Sequence, residues 1–153
     1  MSADPPDLAH LSQRMAQGAP QAAALDFRTV SIEPGLAVMA VPHRADLVGD
    51  PESGVLAGGV VTTLLDHVCG MAVSSKLFEQ GTFAPIATLD LRIDYMRPAE
   101  PGRELFARAH CYKLTHTIAF VRATAFDADE TDPVATAQAA FALRTAPTPT
   151  EPK

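Results

Sequence analysis

The feature that most constrains the fold is one apolar run with the length and spacing of a buried helix. Between Gly58 and Phe78, apolar side chains spread over most of a helical circumference, which is typical of a helix covered by protein on nearly all sides. Gly81 follows as a stop signal. We therefore predict a central helix from about residue 58 to about residue 78. Its apolar positions are Val60, Val61, Leu64, Leu65, Val68, Met71 and Ala72.

The segments on both sides of this helix alternate apolar and polar residues, which predicts β-strands. Residues 25–44 predict a hairpin that turns at Pro34-Gly35, and residues 45–54 predict a loop of turn-forming residues. After the helix we predict four strands in a meander. The first of them is expected to bury Leu89, Leu91, Ile93 and Tyr95. This order predicts an α+β fold in which one antiparallel sheet wraps around one long central helix.

The length of 153 residues fits one domain, which we place at residues 25–145. Residues 1–24 predict a tail with a short amphipathic helix that carries Leu8, Leu11 and Met15 on one side. Residues 146–153 are rich in proline and small polar residues, so we expect a disordered tail.

Charge and composition exclude several classes of function. A net charge of -6 gives little support for a nucleic-acid partner. No apolar run approaches the roughly 18 residues that span a membrane, and the N-terminus lacks a secretion signal. Two cysteines, Cys69 and Cys111, are too few for a disulfide framework, so we expect a cytoplasmic protein. The histidines and cysteines show no metal-ligand spacing, and neither a metal nor another cofactor is predicted.

Asp66 is the unexpected residue of the apolar helix, because an unpaired buried carboxylate costs several kcal/mol. Two interpretations remain open: this side of the helix is a floor for a ligand, or it packs against a symmetry mate with Asp66 capped by threonines. The residues that share its face are small or polar, namely Gly59, Thr62, Thr63, Cys69 and Gly70.

Gly58 and Gly59 stand at the start of the helix, where backbone N–H groups lack partners and the helix dipole is positive. Without side chains, these donors could contact a ligand oxygen, as in an oxyanion hole. The alternative is a tight turn into the helix that needs the freedom of glycine.

Two stretches, "GVLAGGVVTTLLDHVCGMA" and "ATLDLRIDYMRPAEPG", carry a resemblance to a known family. From Leu25 to Leu143 the chain resembles the PaaI-like hotdog-fold acyl-CoA thioesterases. The resemblance implies a hotdog fold and hydrolysis of an acyl-CoA to the free acid and coenzyme A. It also implies roles for three residues: the Gly58 N–H as oxyanion donor, Asp66 as general base or nucleophile, and Thr88 in positioning the attacking water.

We add Gly59, Thr62 and Thr63 as candidate substrate-binding residues, because they line the same small polar face. The chain departs from the family pattern at two positions. Ala57 stands where the family usually has histidine, and Pro51 stands where an asparagine often lies. Both departures remove a polar side chain while leaving the acid and the backbone donor in place.

The spacing of Gly58 and Asp66 predicts a site shared between two subunits. Eight residues of helix rise about 12 Å, too far for both groups to reach one thioester carbonyl. Two helices packed antiparallel about a two-fold axis would bring Gly58 of one near Asp66 of the other. We therefore expect an obligate homodimer, assembled further as a dimer of dimers.

Two other functions remain as alternatives. A non-catalytic acyl-CoA-binding hotdog protein would explain the missing histidine and asparagine. A hotdog dehydratase or hydratase would need a histidine paired with an acid, for which His43 is the candidate. We expect His67 to be a packing residue, since it points about 100° away from Asp66 around the helix. Basic residues that could hold coenzyme A phosphates, with none singled out, are Arg97, Arg103, Lys113 and Arg144.

Overall fold

The structure is a computed structural model that describes residues 7–144. The predicted C-terminal tail at 146–153 and the first six residues of the N-terminal tail lie outside this range. The helices are α1 (Leu8–Gly18), α2 (Pro20–Ala24) and α3 (Gly58–Glu79), and Ala45–Leu47 form one 3-10 turn. The strands are β1 (Arg28–Glu33), β2 (Leu36–Val41), β3 (Val48–Asp50), β4 (Val55–Leu56), β5 (Ile86–Tyr95), β6 (Leu105–Leu114), β7 (Ile118–Phe126) and β8 (Ala135–Leu143).

The predicted sheet around one central helix is confirmed. Six antiparallel strands form a sheet in the order β1-β2-β6-β7-β8-β5, and α3 packs against every one of them. The helix ends where the sequence indicated: Gly81 has a φ of +70°, and its N–H donates to the Phe78 carbonyl. A left-handed glycine at this place is a common way to close a helix.

The prediction that the last four strands form a meander is wrong for β5. Strands β6, β7 and β8 follow one another as neighbours, but β5 pairs with β8 instead of β6. The reason is that β2 already occupies the other side of β6. Strand β5 therefore forms an edge of the sheet over ten residues.

The prediction of a plain loop at residues 45–54 is also incomplete. This segment contains the 3-10 turn and β3, which forms a two-stranded sheet with β4. The small sheet lies against the start of α3. The backbones are so close that a Cβ on Gly49 would lie 2.9 Å from the Ala57 Cα. Glycine at position 49 therefore permits the close contact that fixes the segment leading into α3.

Small side chains let the sheet approach α3 closely. The face of the sheet towards the helix is rich in buried alanines, namely Ala107, Ala109, Ala119, Ala123, Ala125, Ala135, Ala137 and Ala139. Large residues of α3 fill the space over them, and Leu64, Leu65, Val68 and Met71 are fully buried. The core is thus a large-on-small packing of one helix on one sheet.

A β-bulge in β5 overturns one predicted burial. Thr88 pairs with Phe141 and Asp90 with Ala140, so Leu89 is an extra residue with no partner on β8. Leu89 is 59% exposed, although the alternating pattern predicted it to be buried. Because of the bulge, Thr88 and Leu91 both face the helix side of the sheet, where a regular strand would place them on opposite faces.

Candidate active site

Helix α3 has two faces with different surroundings. We call Leu64, Leu65, Val68 and Met71 the packed face, since these residues are fully buried against the sheet. The open face consists of Gly58, Gly59, Thr62, Thr63 and Asp66, all of which are exposed or half-buried. Cys69 and Gly70 were predicted to share this open face, but both are buried. The open face therefore ends at Asp66.

The carboxylate of Asp66 is held by Thr88 on β5. The Thr88 hydroxyl donates to Asp66 Oδ1 at 2.8 Å, and the bulge at Leu89 is what turns Thr88 towards the helix. The structure therefore brings together two of the predicted site residues. Within residues 7–144, Asp66 Oδ2 accepts no protein hydrogen bond and remains available to a ligand.

The two glycines at the start of α3 present bare backbone. Ala57 precedes the helix in an extended conformation, and the first turn contains no capping side chain. In the described part of the chain, the N–H groups of Gly58 and Gly59 have no acceptor; Val60 is the first residue whose N–H bonds to Ala57. A Cβ on Gly59 would meet nothing within 4 Å. Packing within one protomer therefore does not require glycine at position 59.

A cluster of hydroxyl groups surrounds the Gly58 carbonyl. Thr62 Oγ1 donates to this oxygen at 3.0 Å and the Tyr95 hydroxyl at 2.9 Å, and the two hydroxyl oxygens lie 2.7 Å apart. Thr63 Oγ1 donates to the Gly59 carbonyl at 2.8 Å. Thr62 and Thr63 therefore bond back to their own helix rather than capping Asp66.

Tyr95 is a polar contact of this region that sequence reasoning did not assign to the site. It was expected in the core, yet it is 52% exposed, with its hydroxyl on the first turn of α3. Its interval of seven residues from Thr88 gave no signal, because in a regular strand this interval places the two residues on opposite faces. Two residues an odd number apart can reach the same helix only if the strand between them contains a bulge.

The neighbours of Asp66 on α3 do not offer a competing nucleophile or base. Burial, with a smaller effect of the Asp66 charge, raises the pKa of the Cys69 thiol to about 12, so the thiol stays protonated at neutral pH. Burial also lowers the pKa of His67 from its ordinary value. As predicted, His67 is a packing residue: its ring lies 5.8 Å from that of Phe27, and Nε2 contacts the Met15 carbonyl.

Other candidate groups lie elsewhere. His43 Nε2 is 2.8 Å from the Gly54 carbonyl, which occupies it in the loop before α3. Arg97 makes a two-pronged contact with Asp127 at 2.7 and 3.0 Å, and this guanidinium holds the pKa of Asp127 well below its usual range. Arg97 is therefore already paired, whereas Arg103, Lys113 and Arg144 are exposed.

Within residues 7–144, no three His, Cys, Asp or Glu side chains come together in a way that could hold a metal ion. No helix there combines the length and the apolar character needed to cross a membrane.

An apolar cavity of about 370 Å³ lies between α1, the end of α3 and the start of β5. Its lining includes Leu11, Met15, Ser74, Leu77, Phe83 and Ile86. Ile86 connects the cavity to the acid: its Cδ1 lies 3.6 Å from where a Cβ on Gly70 would stand, one helical turn after Asp66. Ser74, the first α3 residue of the lining, lies about two turns beyond the carboxylate.

The chain is similar to several known proteins. Residues 53–134 match the family model described as thioesterase superfamily. Acyl-coenzyme A thioesterase 13 of Mus musculus is 40% identical over 67 residues, which are 44% of this chain and 45% of that protein. The chain thus spans about half the length of the curated relatives it matches.

Two solved structures extend the similarity to most of the chain. A Pseudomonas aeruginosa protein is 33% identical with a TM-score of 0.80, over 91% of this chain and 100% of that one. A variant of the phenylacetic acid degradation protein PaaI from Thermus thermophilus is 28% identical with a TM-score of 0.69, over 81% of this chain and 98% of that one.

Proposed function

The chain belongs to the thioesterase superfamily, as its resemblance to PaaI-like hotdog thioesterases predicted, and we propose that it hydrolyses acyl-CoA thioesters. The observation that carries this proposal is the open face of α3. There Asp66, fixed by Thr88, and the free N–H groups of Gly58 and Gly59 lie on one surface. The 40% identity to an acyl-coenzyme A thioesterase supports the same substrate class.

In the proposed reaction, the Gly58 N–H donates to the thioester carbonyl oxygen, where negative charge develops. Asp66 takes a proton from water as the water oxygen attacks the carbonyl carbon. The C–S bond then breaks, and the coenzyme A thiolate receives the proton that Asp66 took up. Thr88 occupies Oδ1 of Asp66 and so leaves Oδ2 towards the water.

Asp66 could also attack the carbonyl carbon itself, which would give a mixed anhydride that water then opens. After a single turnover in ¹⁸O-labelled water, label in Asp66 identifies an anhydride that opens at the protein carbonyl. Attack by water leaves Asp66 unlabelled, whereas opening of the anhydride at the protein carbonyl carries the label into Asp66.

We propose that each site is shared by two subunits. Gly58 and Asp66 are separated by about 12 Å along α3, so one chain cannot place both at one carbonyl. The edge strand β5 supports a partner, because Leu89 and Tyr95 on this strand and Met96 directly after it are more than half exposed. Two antiparallel copies of α3 would make two equal sites, and we extend the proposal to a dimer of dimers. Light scattering measures the molar mass in solution and therefore tests both the dimer and the dimer of dimers.

The cavity beside Ile86 suits the acyl tail. Its volume of about 370 Å³ and its mostly apolar lining fit a hydrocarbon or aryl group. The thioester carbonyl would then lie near Asp66, about two turns of α3 before Ser74 of the cavity lining.

Thiol release from a panel of short, long and aromatic acyl-CoAs tests the proposed function. We expect turnover of at least one substrate, with the rate dependent on the acyl group. If none is hydrolysed but one binds tightly, the protein is a non-catalytic acyl-CoA-binding hotdog protein. The absence of polar side chains at Ala57 and Pro51 is the observation that favours this second candidate.

A further inference from the structure

We propose that Tyr95 is a positioning residue that fixes and polarises the Gly58–Gly59 peptide, so that the Gly59 N–H acts as a second oxyanion donor. This inference rests on the proposed thioesterase function. The Tyr95 hydroxyl donates to the Gly58 carbonyl at 2.9 Å and lies 2.7 Å from Thr62 Oγ1. Tyr95 stands on β5, 37 residues along the chain from the peptide that it holds.

This peptide needs an external anchor. Two successive glycines have the greatest backbone freedom of any pair of residues, and they stand in the first turn of α3, where no side-chain cap is present. A Cβ on Gly59 would meet nothing within 4 Å, so surrounding side chains do not confine that residue. A donor that stabilises a transition state must already be in place when charge develops. Tyr95 supplies this restraint from the sheet.

The contact also strengthens the donor. The Gly58 carbonyl and the Gly59 N–H belong to one peptide group, and a hydrogen bond accepted by the carbonyl makes the N–H of the same group a better donor. Thr62 contributes to the same oxygen, but it moves with α3 and cannot fix the helix relative to the sheet. Tyr95 and Thr62 together carry two hydroxyl protons, while the two hydroxyls and the Gly58 oxygen make three short contacts. When both hydroxyls donate to the Gly58 oxygen, no proton remains for the contact between them.

Strand β5 thereby holds both functional ends of the open face. Thr88 near its start fixes Asp66, and Tyr95 at its end fixes the peptide of Gly58 and Gly59. Since the shared-site proposal assigns these two ends to different sites of the dimer, one strand supports half of each site.

Tyr95→Phe removes the hydroxyl and keeps the ring. We expect kcat to fall about tenfold, the loss expected for one hydrogen bond felt mainly in the transition state, while KM changes less than about twofold. The Gly59 amide proton resonance should move upfield, because its peptide group is less polarised. Tyr112→Phe is a matched control, because Tyr112 is the second of two tyrosines and lies on β6 under the Arg122 guanidinium. It should leave kcat and the Gly59 amide unchanged.

A double-mutant cycle with Thr62→Val tests whether both hydroxyls act through one carbonyl. We expect the combined loss in kcat to be smaller than the product of the single losses. A Tyr95→Phe enzyme with normal kcat and an unchanged Gly59 amide overturns the inference, as does a change confined to melting temperature. If wild-type protein hydrolyses no acyl-CoA, the proposed function fails separately, and the Gly59 amide still decides whether Tyr95 polarises the peptide.

Discussion

The packed face and the open face of α3 belong to the same helix but are completed by different means. Leu64, Leu65 and their neighbours are fully buried within one protomer. The open face has a carboxylate oxygen and two backbone donors with no protein partner among the described residues. One face therefore stabilises the fold, and in our proposal the other is completed by substrate and by a second subunit.

Because the two faces differ in this way, replacements on α3 should affect either stability or activity, depending on the face that they change. Replacements on the packed face should change the free energy of unfolding and leave the chemistry intact. Replacements on the open face should do the reverse, because those side chains contribute little buried apolar area.

Asp66→Asn should have the largest effect on activity. The change removes the base but can keep the hydrogen bond from Thr88, so we expect kcat to fall a hundredfold or more with ligand binding retained. The melting temperature should stay close to that of the wild type. Asp90→Asn is the control, since Asp90 lies on the outer face of β5. Near-normal turnover of Asp66→Asn would remove this residue from the mechanism.

Mixing two inactive variants should restore activity if the open faces of two subunits meet. Gly58→Pro lacks the donor and is tolerable in a first helical turn, whereas Asp66→Asn lacks the acid. In a heterodimer, one site combines both defects and the other combines an intact Gly58 with an intact Asp66. A pure heterodimer should therefore approach half the wild-type rate per dimer.

Subunit exchange must be verified independently in this experiment, for example with differently labelled chains. Each variant alone should retain about a hundredth of the wild-type activity or less, and each should be shown to be folded and dimeric. Confirmed exchange without recovered activity would show that the site is not shared across the two-fold axis.

Leu64→Ala tests the packed face of α3. It opens a cavity against the alanines of the sheet, and we expect a loss of about 3 kcal/mol in the free energy of unfolding. Below the unfolding transition, kcat should remain within about twofold of the wild type. Chemical denaturation measures the loss, and Val30→Ala, at an exposed position of β1, should change stability far less. A hundredfold loss of kcat in folded Leu64→Ala protein would show that the two faces are coupled.

Ala57→His should have the smallest effect. It restores the side chain common in the family beside the open face, and we expect the protein to fold with kcat raised about threefold by one added hydrogen bond to the thioester oxygen. Steady-state kinetics measure the change. A lower rate at unchanged stability would instead indicate that Ala57 makes room for a bulkier substrate.

Much of the fold could be predicted from patterns within single segments. The apolar circumference of residues 58–78 predicted α3, and Pro34-Gly35 predicted the first hairpin. The position of β5 beside β8 could not be read in this way, because which strands become neighbours depends on which edges are already occupied.

The candidate site could also be predicted only in part from the sequence. The Asp66 carboxylate and the bare glycines could be recognised on one helix, and Thr88 was recognised through the family resemblance. The contact of Tyr95 with the Gly58 carbonyl depends on how a strand crosses a helix, and local sequence does not encode that. The roles of Asp66, Gly58, Thr88, Gly59, Thr62 and Thr63 stay predictions.

The extra residue in β5 has a consequence for insertions and deletions. Thr88 and Tyr95 both reach α3 although they are seven positions apart, and this odd interval works because Leu89 has no partner on β8. A related chain without a counterpart of Leu89 would keep all other strand residues on their present faces, with a regular strand. A chain with one additional residue between the two contacts would need a second bulge, or one of the two side chains would face away from the helix. In this segment, a deletion at position 89 should therefore be tolerated more easily than an insertion between Thr88 and Tyr95.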